Sequence, residues 1–586
     1  MTITIPTHET TPGDAVYGPG TFIDKTVLPV QDDARRVFEL LASRTPGFTK
    51  DRAAWDTVNF SGKPTPMIPG PIKSAVVASA LHGMAGLIAN ELLELRDGKD
   101  KDNRTVNIDT DHAGLWLGSV FTTYIDGVDT CGLARNGKLR SMFPPEQDFE
   151  QGFGKGISGR TTAIYQTKDP KVWYQLHGSL DAEKTLKSMG IDSGVEFKKP
   201  QQYYDYIQEH VRQWSPDELE MHNVRHGLCG SICYTPQGWR ETEMGRILAR
   251  HPLVNVTEET YAKDTPAVPM SAFAPKGQDK RPLAGIKVLE MVRIIAGPQV
   301  GVTLASYGAD VIRVNCSRLA DLNVLQLVLN AGKRTIDLDI TKSEDMAHLH
   351  SLLADVDIFV QGFRSGTLDR RGLGLHNLLE LAGKRNKGII YVSENCYGPD
   401  GPFVERPGWQ QIGDAASGSS YIMGRSQGLE EGTSVLPPLP VSDMITGLVG
   451  AVGAMLAVRE RAVKGGSYHV KSSLVAADTI SLEEEVGLYP PEVVEETTQR
   501  FGFPPITPDQ FVSEVLIGVI DGWKKGLPGY LDEDSELMAT FEQGTWGRQT
   551  LLKPVAQLSE DEATPRWITP PVPHCHYPRE TTWLYQ

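Results

Sequence analysis

Asp443 opens a run of small and apolar residues, DMITGLVGAVGAMLAVRERAV, that reads as one long helix ending at Lys464-Gly465-Gly466. A carboxylate in the first turn of a helix faces unpaired backbone N–H groups, which favour its ionised form. Such a group can attack a carbonyl carbon, and equally it can be a plain helix cap, as can Ser442 beside it. A different chemistry is offered by the turn Ile295-Ala296-Gly297-Pro298, whose free N–H groups point beyond the end of an apolar run, where a nucleotide phosphate can sit. The turn is not a GxGxxG fingerprint. His222-x3-His226-x2-Cys229-x3-Cys233 has the residue types of a zinc site, with both histidines one turn apart on a helix that starts at the capping box Ser215-Pro216-Asp217-Glu218. Gly227 ends that helix, so a packed helix-to-strand corner is the competing reading and no metal is expected; His574-Cys575-His576 reads as a loop. The glycines from Gly152 to Gly159 lack the spacing of a phosphate-binding loop and read as a mobile segment.

These groups need elements to hold them. Residues 282–314, PLAGIKVLEMVRIIAGPQVGVTLASYGADVIRV, read as strand, turn, helix, strand, with Pro298 at the first helical position and Gly308 where the helix stops. That is one βαβ unit, which places the chain in the α/β class. Residues 32–44 begin a helix, and residues 73–95, KSAVVASALHGMAGLIANELLEL, form a long one that leads through Arg96-Asp97-Gly98-Lys99 into an alternating strand at 104–109. The same order of small-residue helix, basic glycine turn and strand recurs at 443–463 and 468–473. We read this as an internal duplication. Gly447, Gly450 and Gly453 predict a helix backbone packed closely on a neighbour. Residues 1–30 read as a mobile leader and residues 252–281, rich in Pro, Lys and Thr, as a connecting arm. Residues 483–586, with Trp523 and Trp546, read as a divergent second small domain.

The 586 residues, 40% hydrophobic, are enough for several cores. A net charge of −16 without a dense Lys/Arg run argues against nucleic acid, so an anionic ligand needs a local basic site. No apolar run is expected to span a membrane, and the amino terminus lacks the layout of a secretory signal. Six scattered cysteines do not make a disulfide framework, and a cytoplasmic setting is the expectation.

The stretch 282–314, followed by NAGKRTIDLD at 330–339, ADVD at 354–357 and FRSGTLDRRGLG at 363–374, closely resembles the amino-terminal domain of the class III CoA-transferase family, which includes formyl-CoA transferase, carnitine CoA-transferase and α-methylacyl-CoA racemase. The resemblance implies a Rossmann-like parallel-sheet domain at 282–482 with a smaller α+β domain. Residues 31–251, including Tyr165 to Pro170, then resemble the later part of a second family subunit. Family chains interlock as dimers, so one chain carrying parts of two subunits is expected to be a pseudo-dimer; whether it pairs again as a homodimer stays open.

The resemblance also assigns residues. Asp443 falls at the family's nucleophile, while the first copy of the helix has no acid in its opening turns, leaving at most one site per chain. Ile294, Ile295 and Ala296 match the turn along CoA, Leu338 an adenine-side residue, and Phe363 and Arg370 the phenylalanine and arginine of a CoA-binding pattern; Arg370 reads as a phosphate partner or a solvated side chain. Gly154 and Gly156 lie about where a glycine-rich lid closes over the acyl group. Trp409 stands where the racemase branch has its histidine, and indole cannot carry the α-proton. Trp409, with Tyr421 and Met423, is expected at the acyl pocket. Ile295 replaces a glutamine of formyl-CoA transferase, Asn315-Cys316 an acidic and often basic pair, and Gly362 an asparagine. The expected function is transfer of CoA from an acyl-CoA thioester to a carboxylic acid, with no permanently bound cofactor. A single-base epimerase, isomerase or lyase and a non-catalytic binding subunit are the alternatives.

Overall fold

The computed structural model describes residues 8–98, 104–143, 156–261, 264–273 and 279–584. Strands Lys287–Met291 and Asp310–Asn315 are buried at every position, as parallel strands covered on both faces must be. They belong to a seven-stranded sheet ordered Asn255–Glu259, Ser467–Ser473, Ile390–Asn395, Ile358–Gln361, Lys287–Met291, Asp310–Asn315, Lys333–Asp337. The last six are parallel, and Asn255–Glu259 alone runs antiparallel, at the edge. Numbered along the chain, those six lie in the order sixth, fifth, fourth, first, second, third, which is the order of doubly wound nucleotide-binding sheets. Its direction reverses between Lys287–Met291 and Ile358–Gln361, so a crevice opens at the carboxyl ends of these two strands.

Helix Ala296–Ser306 follows the first of them, starting two residues earlier than expected, with Pro298 inside its first turn, where a missing N–H breaks no helical bond. Helix Val441–Lys464 packs against it. A Cβ on Gly447 would lie 2.4 Å from Gln299 Cβ, and one on Gly453 would lie 2.5 Å from Val470 Cγ1, so the glycines do allow the close approach their pattern predicts. Contrary to the sequence expectation, two helices, Ser74–Asp97 and Val441–Lys464, are long and apolar enough to cross a membrane by length and composition. Their most apolar windows are 94% and 100% buried within the protein, so they are core helices.

The expected connecting arm is in part a structural element, because Asn255–Glu259 supplies the edge strand of the large sheet. The carboxyl-terminal region also departs from its expectation as a separate small domain. Gln557–Leu558 pairs with Val106–Asp109, and Gly547–Leu552 pairs with Tyr124–Ile125, so this region completes sheets begun in the first half. It then runs along the far edge of the large sheet, where Tyr577 N donates to Thr335 O at 2.9 Å and Trp583 Nε1 to Leu352 O at 3.2 Å. Pairings over more than 400 residues leave no local pattern for a sequence reading to find.

A third layer covers the crevice. Strands Ala163–Gln166, Trp173–His177 and Cys229–Ile232 form a small antiparallel sheet backed by helices Pro200–Val211 and Pro216–His226.

Candidate active site

Residues 293–296, 361–363, 394–396 and 471–474 surround a cleft of about 790 Å³ at the point where the sheet order reverses. Gly178 and Leu228 of the small-sheet layer close its far side, and Asp443 forms part of its wall. A second cavity of about 260 Å³ lies against the ends of Asp310–Asn315 and Lys333–Asp337 and shares Arg293, Phe363 and Thr367 with the first. The shared residues join the two spaces, and the larger one reaches Asp443.

Asp443 is the third residue of its helix, whose N-cap is Pro440 and makes no side-chain capping bond. The plain-cap reading therefore does not describe it. Its side chain is nearly buried, and burial pushes its carboxyl up to about 7. The sequence reading had the helix N–H groups keep this carboxylate ionised; here loss of water outweighs them, and near neutral pH the group is divided between its two forms.

Three further carboxyl groups lie around it, none of them singled out by the sequence. Glu394, near the end of strand Ile390–Asn395, lines the same cleft, and burial followed by the charge of Asp443 pushes it up to about 8. Asp414 accepts hydrogen bonds from Gln410 Nε2 at 3.2 Å and Ser442 Oγ at 3.4 Å. Burial first, then the other carboxylates, hold both Asp414 and Asp478 well above the usual range. Strand alternation is the signal that could have placed Glu394. Ile390 and Val392 pack into the core beneath helix Val441–Lys464, whereas Tyr391 belongs to the opposite layer, so the two-residue period puts the Glu394 carboxylate on the helix-covered face.

Trp409 lines the cleft and stacks on His177, ring centroids 4.8 Å apart and planes at 24°. Ser179 N donates to His177 Nδ1 at 2.9 Å, which leaves Nε2–H to donate to Gln411 Oε1 at 3.1 Å. Burial pushes this imidazole down to about 3, so it is neutral and offers no proton to a substrate. Tyr421 and Met423 do not reach the cleft: Tyr421 lies against Gly18 and Met423 against Gly70.

The turn residues Ile294, Ile295 and Ala296 line the larger cleft, Leu338 the smaller cavity, and Phe363 both. Ile294 has φ +68°, rare for a β-branched residue and costing about 1–3 kcal/mol. Asp321 holds it there, accepting from Ile294 N at 3.1 Å through Oδ1 and from Arg313 at 3.0 Å through Oδ2. Arg370 lines neither space; its neighbour Arg371 lines the smaller cavity, because the tight turn Asp369–Arg371 turns successive side chains apart. Gly156 begins a short helix beside Tyr203 and is not part of the cleft, and Gly154 lies outside the described residues. His222 and His226 share a helix face, but Cys229 packs toward Ser179 and Cys233 beside Ile164 and Leu436. Among the described residues no group of three or more His, Cys, Asp or Glu side chains could hold a metal ion.

Comparison with known proteins places the chain in a family. The model of CoA-transferase family III matches residues 283–502. An acyl-CoA transferase of Gibberella moniliformis is 45% identical over 565 residues, 96% of this chain and 97% of that one. The acetyl-coenzyme A transferase nodX of Hypoxylon pulicicidum is 34% identical over 429 residues, 71% of this chain and 70% of its own. Among solved structures, a CaiB/BaiF family protein from Brucella suis is 28% identical, with 34% of this chain and 55% of that one covered and a TM-score of 0.29.

Proposed function

This chain belongs to CoA-transferase family III and is a transferase, and we propose that it moves CoA from one carboxylic acid to another through an acyl intermediate on Asp443. The observation that carries the reading is the position of Asp443: a carboxylate without a capping role in the wall of a cleft that shares residues with a second cavity of about 260 Å³.

In this reading the adenosine part of an acyl-CoA lies in the smaller cavity beside Leu338, with Arg293, Arg318 and Arg371 at its rim to meet phosphate charge in an otherwise acidic protein. The pantetheine arm passes Phe363 and the turn at Ile294, and the thioester reaches Asp443. Asp443 Oδ attacks the acyl carbon and the C–S bond breaks, leaving a mixed anhydride and the CoA thiolate. The thiolate then attacks the aspartyl carbonyl, which frees the first acid and leaves CoA on Asp443 as a thioester. The second acid reverses the two steps. Trp409 and its partner His177 form a stiff apolar wall beside this chemistry.

The test is peptide mass mapping after incubation with a panel of acyl-CoA thioesters. An acyl or CoA adduct on Asp443, removed by hydroxylamine and absent from Asp443→Ala, is the expected result. The rise of Asp443 to about 7 also suits a single base. Wash-in of deuterium at the α-carbon without any adduct would replace transfer by that reading, and absence of CoA-ester binding would replace both by a non-catalytic one.

A further inference from the structure

We propose that Glu394 is a second catalytic residue of this site, a carboxyl group that donates a hydrogen bond to the acyl carbonyl oxygen while Asp443 attacks the carbon. The proposal rests on the nucleophilic reading of Asp443. Glu394 projects from the end of strand Ile390–Asn395 on the face that helix Val441–Lys464 covers, and both carboxyl groups line the one cleft. Space for it comes from Gly362: a Cβ there would lie 2.8 Å from Glu394 Oε2, so a side chain on the neighbouring strand end would displace the carboxyl.

The charged surroundings decide its form. On the helix the facing group is Asp443, whose negative charge disfavours a second anion. On the adjoining strand Ser467–Ser473, His469 and Lys471 pair in register with Tyr391 and Ser393, so they leave the sheet from the opposite face to Glu394, although both also line the cleft. His469 is bonded to Ser393 Oγ at 2.7 Å, and burial pushes it down to about 3, leaving it neutral. From the turn, Arg293 donates to Ala320 O at 3.0 Å and lies over Phe363. No cation is among the causes acting on Glu394, and burial with the Asp443 charge takes it up to about 8. At neutral pH it is mostly a neutral O–H donor beside a partly ionised nucleophile, which is the division of roles the reaction needs.

The step balances without a proton leaving Glu394. As the Asp443 oxygen bonds to the acyl carbon, the carbonyl π pair moves onto oxygen and shortens the hydrogen bond from the carboxyl. Collapse restores the C=O bond and expels the CoA thiolate, and Glu394 keeps its proton throughout.

Single-turnover formation of the Asp443 adduct in Glu394→Ala and Glu394→Gln tests the idea. Alanine is expected to slow it by about 10²–10³-fold with KM for the acyl-CoA within a few-fold, the loss typical of one oxyanion donor. The wild type is expected to lose rate above about pH 8, and glutamine, with an N–H in the same place, is expected to stay within about tenfold of it and to lack that fall. An alanine variant that forms the adduct at the wild-type rate overturns the role of Glu394 and leaves Asp443 standing; no adduct in the wild type overturns Asp443 itself. If Glu394→Ala binds no CoA ester, the glutamine profile decides, and an unchanged alkaline limb overturns the proposal.

Discussion

Helix Ser74–Asp97 and helix Val441–Lys464 share a plan and differ at the position proposed for the nucleophile. Each has 24 residues, carries glycines at its tenth and thirteenth positions, and ends at a glycine with positive φ. Each leads into a strand that runs parallel to an earlier one, Val106–Asp109 beside Val58–Ser61 and Ser467–Ser473 beside Ile390–Asn395, and then into a short helix. The thirteenth-position glycine meets a valine of that strand in both, Gly86 against Val106 and Gly453 against Val470. At the third position one has Asp443 and the other a fully buried Val76. The space over the helix start differs too, about 790 Å³ at Asp443 and about 10 Å³ beside Lys73. Lys73 lines the second, its ammonium buried between Asp24 and Asp33 and over the Tyr489 ring at 5.2 Å. We propose that the first unit is a copy that has exchanged its nucleophile for an ion cluster, which separates what the scaffold requires, the glycines and strand pairing, from what catalysis requires.

The comparison is most directly broken at Asp443. Asp443→Asn is expected to lower transfer by about 10⁴-fold or more, the scale of losing a nucleophile. It is also expected to stabilise the protein. A carboxyl raised from 3.8 to about 7 carries its cost once pH exceeds the folded value, and none below the ordinary value. The rise corresponds to roughly 4 kcal/mol, so urea melts of the variant and wild type should agree near pH 4 and diverge up to pH 8, with the variant more stable.

At Lys73 the signs reverse. Lys73→Met removes the cation from two buried carboxylates and is expected to destabilise by about 3–5 kcal/mol, while kcat measured below the melting transition stays unchanged. Burial already outweighs Lys73 at Asp24, which stands at about 6, so without the lysine its carboxyl would rise further. A loss of kcat in a folded variant would mean that the first unit takes part in catalysis.

Much of this plan was legible because it is local. The period of the apolar residues, the small residues of both long helices and the glycines at 98 and 465 are properties of short windows, and the elements fall within a few residues of where those windows place them. What stayed hidden depends on distant partners. Nothing near 557–558 announces pairing with Val106–Asp109, and nothing near 255–259 announces an edge strand. The site divides the same way: Asp443, Trp409 and the turn at 294–296 follow from motif order, whereas Glu394 gains meaning only beside Asp443, and Arg371 replaces Arg370 at the cavity through the geometry of one turn.

The smallest expected effect is the finest test of the comparison. Gly86→Ala and Gly453→Ala each add one methyl group, and each new Cβ would stand 2.4–2.5 Å from a valine Cγ1, closer than packing tolerates. A helical alanine regains about 1 kcal/mol of intrinsic preference, but overpacking costs about 1–3 kcal/mol, so both variants are expected to be slightly less stable, and by similar amounts. Their activities should part. The shift forced by Gly453→Ala moves the helix that carries Asp443 relative to Ser467–Ser473, whose end helps to form the cleft, and displacement of a reacting group by about 1 Å costs on the order of 10²-fold. A smaller shift should cost proportionately less, and it should appear in kcat more than in KM. The same shift at Gly86 moves a helix with no nucleophile, so kcat should hold. Equal losses of kcat in the two variants would show that the units are coupled, and the first would then be part of the active site's support rather than a scaffold set apart from it.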